Sequence, residues 1–226
     1  MTEFIFEEFK QGVILQIHDA EKNVFIWQHI ADEIEFLQAQ PEDVQQLYSF
    51  LQFASQTNFV LAVGKLFDKP KKHPSQSILY FLKQVERRAE ENVEIVEDSS
   101  TKKLLAKYNV SDILIKAVDS DDRSVFPKEF VTYYNAKYNS QEIQADLEQV
   151  KFMRDKVVAH NESIEYVGLE FKAIHRLLKF ATEIVTIFGM AYHSTIWESD
   201  KTSLITESAK RNAWFVKLAI QRLKSL

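Results

Sequence analysis

From Glu3 to about Phe36 the apolar positions Phe6, Phe9, Val13 and Ile17, then Val24, Trp27, Ile30 and Ile34, recur at three and four residues, the period of a helix with one apolar face. The spacing predicts one long helix or two stacked pieces. Pro41 then restarts the chain, and Glu42 and Asp43 suit the positive end of a second helix running through Leu47, Leu51, Ala54, Leu61 and Leu66 and stopping at Asp68. Pro70 and Pro74 lack a backbone donor and restrict their predecessors, so the stretch from Asp68 to Ser75 reads as a loop. Ser75 is a good N-cap for a third helix that carries Ile78, Leu79, Leu82 and Val85 and ends in the charged run from Glu86 to Glu91.

Between Asn92 and Asn139 the pattern shortens into three pieces, Lys102 to Tyr108, Ser111 to Val118 and, after Pro127, Lys128 to Tyr138, with Asp/Ser-rich turns between them. Longer periods then return. Ser140 caps a helix reaching His160, a strongly apolar helix spans about Tyr166 to Ser194, and an amphipathic one fills Lys201 to Leu226. No internal repeat or low-complexity tract interrupts this order. The expected architecture is all-α, a single domain over residues 1–226 with residues 92–139 as an inserted helical elaboration.

Composition supports helices: 226 residues include only four Gly and four Pro, too few to supply the turns of a many-stranded protein, while 17 Phe provide bulky core groups. No cysteine occurs, which excludes disulfides, thiolate zinc sites and cysteine nucleophiles and suits a reducing compartment. The longest apolar stretch, around Ile184 to Tyr192, is far too short to span a bilayer, and the chain does not open with a cationic segment followed by an apolar run. A cytoplasmic protein with no membrane partner is expected. The formal charge of −5 disfavours indiscriminate coating of nucleic acid, so any RNA contact must be a local patch.

The candidate chemistry lies in Arg154-Asp155-Lys156-Val157-Val158-Ala159-His160. A guanidinium holds a phosphate by two parallel hydrogen bonds, and an imidazole moves a proton near neutral pH. At 100° per residue Ile143, Leu147, Val150, Arg154 and Val157 share one stripe, so Arg154 lies on the apolar face and needs an anion, a cleft or a carboxylate such as Asp68 or Asp146. His160 falls about 9 Å along and roughly 120° around an ideal helix from Arg154. Either the helix loosens before His160, or two copies of the chain pool their motifs; Phe152, opposite the stripe, points to the second. Lys151 and Lys156 flank the motif, and Lys69, Lys71 and Lys72, beside His73, form a second basic patch. Each of these lysines also fits an ordinary solvated edge. None of the six histidines forms a His-Glu-x-x-His pair, so no metal site and no cofactor are expected.

Several segments together resemble the HEPN superfamily of helical RNA-cleaving and nucleotide-binding domains, in particular its AbiU-like abortive-infection branch. They are Trp27, then Gly64-Lys65-Leu66-Phe67-Asp68, Ser77-Ile78-Leu79-Tyr80-Phe81-Leu82, and the motif from Arg154 to His160, spread over roughly Phe9 to Tyr192. The resemblance implies an antiparallel helical bundle, a homodimer about the motif helix and metal-independent cleavage of RNA, within a phage-defence or toxin–antitoxin system that includes an antitoxin or other defence protein. It assigns Arg154 to the scissile phosphate, Asp155 to orienting that phosphate or the attacking group, and His160 to acid or base catalysis. It also leaves room for a catalytically silent module that binds nucleotide, RNA or a protein partner.

Overall fold

A computed structural model describes residues 10–69, 77–91, 93–159, 171–195 and 203–225, with the backbone alone of 10–11 and 156–159. Ten α-helices make up nearly all of it, and no β-strand occurs among the described residues. A π-helical turn, Lys10–Ile14, leads into α1 (Leu15–Ala31) and the short α2 (Ile34–Gln38). The N-terminal stretch is therefore built of stacked pieces. α3 (Glu42–Phe67) is the longest helix, and Pro41, in a polyproline-like conformation at φ −53° and ψ 152°, sets its start where the missing N–H costs nothing. Asp68 ends it by turning extended, its amide still donating to the Gly64 carbonyl at 2.8 Å.

The third long segment begins later than its sequence implies. α4 runs Ile78–Arg87 and is preceded by Ser77, whose hydroxyl donates to the Asp68 carbonyl at 2.9 Å and caps no amide of its own helix. Ser75 lies outside the described residues. A 3-10 turn, Ala89–Glu91, follows, and then α5 (Asp98–Lys107), α6 (Asp112–Val118) and α7 (Val125–Tyr138). α7 starts before Pro127 because a proline in the first turn gives up only an amide that has no intrahelical partner. α8 (Gln141–Ala159), α9 (Phe171–His193) and α10 (Leu204–Lys224) complete the chain.

Helices α1, α3, α8 and α9 form the bundle: α1 packs on α3 and α9, and α8 packs on the same two from the other side. α10 lies against the outer face of α1. α9 is the axial element, with an unbroken buried run from Phe180 to Tyr192. The elaboration shares this core. Phe126 and Phe130 of α7 are 1% and 0% exposed, and their rings meet Tyr192 and Phe188 of α9 at centroid separations of 6.0 and 6.1 Å. A smaller apolar cluster at the far end joins Ile26 and Ile30 of α1, Leu37, Tyr48 and the α10 residues Ala213, Val216 and Ile220.

Two buried carboxylates are tied across elements. Asp146 of α8, 1% exposed, accepts from Arg176 Nε of α9 at 2.7 Å. Glu183 of α9, 3% exposed, accepts from the Tyr134 hydroxyl at 3.0 Å and from Lys137 Nζ at 2.8 Å, which fixes α7 to the bundle. Each ionised oxygen thus has a donor, as a carboxylate taken out of water requires.

Candidate functional site

One cleft opens where the end of α3 meets α7 and α8. Its wall on α3 consists of Gly64, Lys65, Phe67, Asp68 and Lys69; on α8 it is lined by Gln144, Leu147, Glu148, Val150, Lys151 and Arg154, and Ser77 and Tyr138 close its ends. The α8 positions follow the helical period, 144, 147, 148, 151 and 154, so a single face of one helix supplies them. The volume is about 760 Å³, within the range of small-molecule sites. Lys65, Lys69, Lys151 and Arg154 set four cations against the carboxylates of Asp68 and Glu148. A local excess of positive charge in a chain of net charge −5 is the patch that an anionic ligand needs. Tyr138 supplies apolar surface, its ring 6.5 Å from and 17° from parallel to that of Phe67, which is buried behind it.

Arg154 crosses to α3. A Cβ at Gly64 would sit 3.5 Å from both Cδ and Nη1 of Arg154, so the guanidinium lies directly over that glycine. Its Nη1 donates to both oxygens of Asp68, at 2.9 and 2.8 Å, and its Nε is 3.6 Å from Oδ1 of Asp155. The hydrogen bonds to Asp68 hold the guanidinium charge more firmly still than usual. Of the two carboxylates within sequence reach, Arg154 takes Asp68, and Asp146 is occupied by Arg176. The pair is open to water, with side-chain exposures of 28% for Arg154 and 58% for Asp68.

Arg154, Lys151 and Lys69 therefore share one cleft, while Asp155 is exposed beside it and does not line it. Lys156 lies on α8, where only its backbone is described. His160, Lys71, Lys72 and His73 lie outside the described residues. Tyr138, Gln144 and Glu148 are site residues that the sequence does not single out, whereas Lys65 stands in the segment from Gly64 to Asp68. Two of the three have a signal: at 100° per residue Gln144 and Glu148 lie within about 60° of Lys151 on α8. Tyr138 has none, since its place in the cleft depends on how the end of α7 meets α8 and the Phe67 ring of α3.

Elsewhere, Glu21 of α1 faces α10, accepting from the Thr206 hydroxyl at 2.9 Å, and burial pushes its carboxyl up to about 7 against the pull of that bond and of Lys210. Among the described residues no group of three or more His, Cys, Asp or Glu is placed to hold a metal ion, and no helix is long and apolar enough to cross a membrane. No family model matches the chain, and no curated protein or solved structure is significantly similar to it.

Proposed function

We propose that this chain is a HEPN-type, metal-independent endoribonuclease of a phage-defence or toxin–antitoxin system. The observation that carries the reading is the position of Arg154: a motif arginine sits in the wall of a nucleotide-sized, locally cationic cleft with an aromatic side. Lys151, Lys65 and Lys69 add potential that attracts a phosphodiester, and the Tyr138 ring suits an unpaired base. A cleft of this size admits a nucleotide, and the substrate class that fits it is unpaired RNA. It lies in the cytoplasm.

In the reaction, the ribose 2′-oxygen attacks the adjacent phosphorus, the bond from phosphorus to the 5′-oxygen breaks, and a 2′,3′-cyclic phosphate and a 5′-hydroxyl result. Arg154 stabilises the charge that builds on the non-bridging oxygens, and Asp155, 3.6 Å from its Nε, orients the phosphate or the attacking group. His160, assigned from the sequence, takes the 2′-hydroxyl proton or supplies one to the leaving oxygen. RNA carries its own nucleophile, which is why few protein groups suffice. A homodimer about α8 would bring two such motifs together, and Phe152, 50% exposed on α8, would lie at that contact.

The test is direct. Purified protein incubated with single-stranded RNA in chelator should yield cyclic-phosphate ends, whereas His160→Ala, Arg154→Gln and a 2′-deoxy substrate should lower the rate by at least about a hundredfold. Equal cleavage by wild type and both variants, or cleavage abolished by chelator, defeats the proposal. One observation favours a second reading, a catalytically silent module that binds nucleotide, RNA or a protein partner such as an antitoxin: Arg154 is already engaged by Asp68. Binding of RNA by the cleft with no turnover in any sequence pool selects that reading.

A further inference from the structure

Two features of the Arg154–Asp68 pair differ in kind. Arg154 is anchored, its side chain lying across Gly64 and only 28% exposed. Among the described residues Asp68 is anchored, apart from Arg154, through its backbone: its amide donates to Gly64 and its carbonyl accepts from the Ser77 hydroxyl, while its side chain is 58% exposed. Rotation about the Asp68 side chain therefore releases the guanidinium without disturbing the end of α3 or the start of α4. Both carboxylate oxygens sit on Nη1, and among the described residues no acceptor bonds to Nη2. An anion arriving in the cleft meets a guanidinium with a carboxylate already at one end of it, and like charges at that distance repel.

We propose that Asp68 is a displaceable counter-ion that sets the anion specificity of the cleft. It neutralises Arg154 when the cleft is empty and yields only to a group that satisfies the guanidinium better than one solvent-exposed carboxylate does. A phosphodiester held at once by Arg154, Lys151 and Lys69 meets that condition; an isolated carboxylate or a lone chloride does not. The exchange needs little driving force, because an exposed ion pair contributes little net stability. The displaced carboxylate stays within the cationic neighbourhood of Lys65, one turn earlier on α3, and Lys69, next in the chain. This inference deepens the proposed RNA site and rests on it for the identity of the ligand.

The experiment uses short fluorescein-labelled single-stranded DNA, which lacks the 2′-hydroxyl and so reports binding without turnover. Anisotropy titrations compare wild type, Asp68→Asn, Asp68→Ser, Arg154→Gln and the double variant Asp68→Asn/Arg154→Gln, with far-ultraviolet circular dichroism checking that each is folded. Both Asp68 variants should bind about three- to fivefold more tightly than wild type, the range an exposed ion pair allows, and the gain should vanish on the Arg154→Gln background. Equal or weaker binding by the folded Asp68 variants overturns the inference, because Asp68 would then serve to position Arg154. A gain that survives in the double variant also overturns it, as a general effect of removing one negative charge. Failure of the nuclease reading is separable: absent RNA cleavage with the Arg154-dependent gain still present leaves the counter-ion role standing.

Discussion

Arginine–carboxylate pairs of similar length differ here in what they do for the fold. Asp146 is 1% exposed, so removing Arg176 strands an ionised group away from water; Asp68 is 58% exposed and recovers hydration at once. Arg176→Ala should therefore destabilise the protein by about 3 kcal/mol, the lower end for a broken buried pair because Arg176 is itself partly exposed, whereas Arg154→Ala should cost less than about 1 kcal/mol. Urea denaturation of the two variants checks the contrast. The helical period puts Arg154 on an apolar stripe and leaves Asp68 and Asp146 as equal partners. Helical angles fix the face a side chain occupies, but which neighbouring helix presents its carboxylate there is a fact of packing. Glu21 is a second residue whose behaviour burial decides. Its carboxyl is raised to about 7 in the folded protein, so the folded state holds a proton there that the unfolded chain has shed. The favourable contribution is complete below pH 4.5 and is lost as pH rises through 7, at a cost on the order of 3 kcal/mol. Glu21→Gln keeps an acceptor for Thr206 and removes the charge, so it should raise the melting temperature at pH 8 and leave it nearly unchanged at pH 4.5.

At the scale of elements, α3 shows how a helix can be legible in its ends and still hold a surprise in its body. Pro41 and Asp68 mark its limits in the sequence as in the structure, because a fixed φ and a polar stop act locally. The start of α4 escapes sequence reasoning for the opposite reason. Ser75 and Ser77 offer the same capping chemistry, and what distinguishes Ser77 is a bond to Asp68, nine residues earlier in the chain. Gly64, inside the last turns of α3, lowers helix stability by roughly 0.5–1 kcal/mol relative to alanine, and it does not sit at positive φ. The space above it ends at the Arg154 side chain, 3.5 Å from where an alanine Cβ would stand, which is ordinary van der Waals contact. Gly64→Ala should thus stabilise the protein by up to about 1 kcal/mol in a thermal melt, and leave Arg154-dependent oligonucleotide binding within a factor of two. A fall in stability would mean that Arg154 is too firmly held by Asp68 to make room.

For the whole molecule, the decisive fact is that bundle and elaboration have one interior. The short periods between Asn92 and Asn139 read as an addition to the bundle because each piece is too brief to stand alone, and brevity says nothing of what a piece covers. Leu105, Leu114, Phe126, Phe130 and Tyr134 are all within 1% of full burial and join the same apolar cluster as Ile17, Val60 and Ile184 of the bundle. The Val96 amide donates to the Ala191 carbonyl at 2.7 Å, and Lys137 and Tyr134 supply the hydrogen bonds of the buried Glu183. Tyr138 lines the cleft, so the elaboration also finishes the candidate site. Replacing residues 92–139 by a short glycine–serine linker would expose Phe81 and Phe188 and strand the Glu183 charge in an apolar wall. The shortened chain should lose its cooperative thermal transition and bind a hydrophobic dye, where an independent module would be removed with the melting temperature of the remainder nearly intact. A single Lys137→Met substitution gives the same answer at smaller scale. With Glu183 left to the Tyr134 hydroxyl alone, stability should drop by about 3 kcal/mol, and Lys137→Met/Glu183→Gln should recover most of the loss, since the penalty comes from an unpaired buried charge and the neutral amide keeps an acceptor for Tyr134.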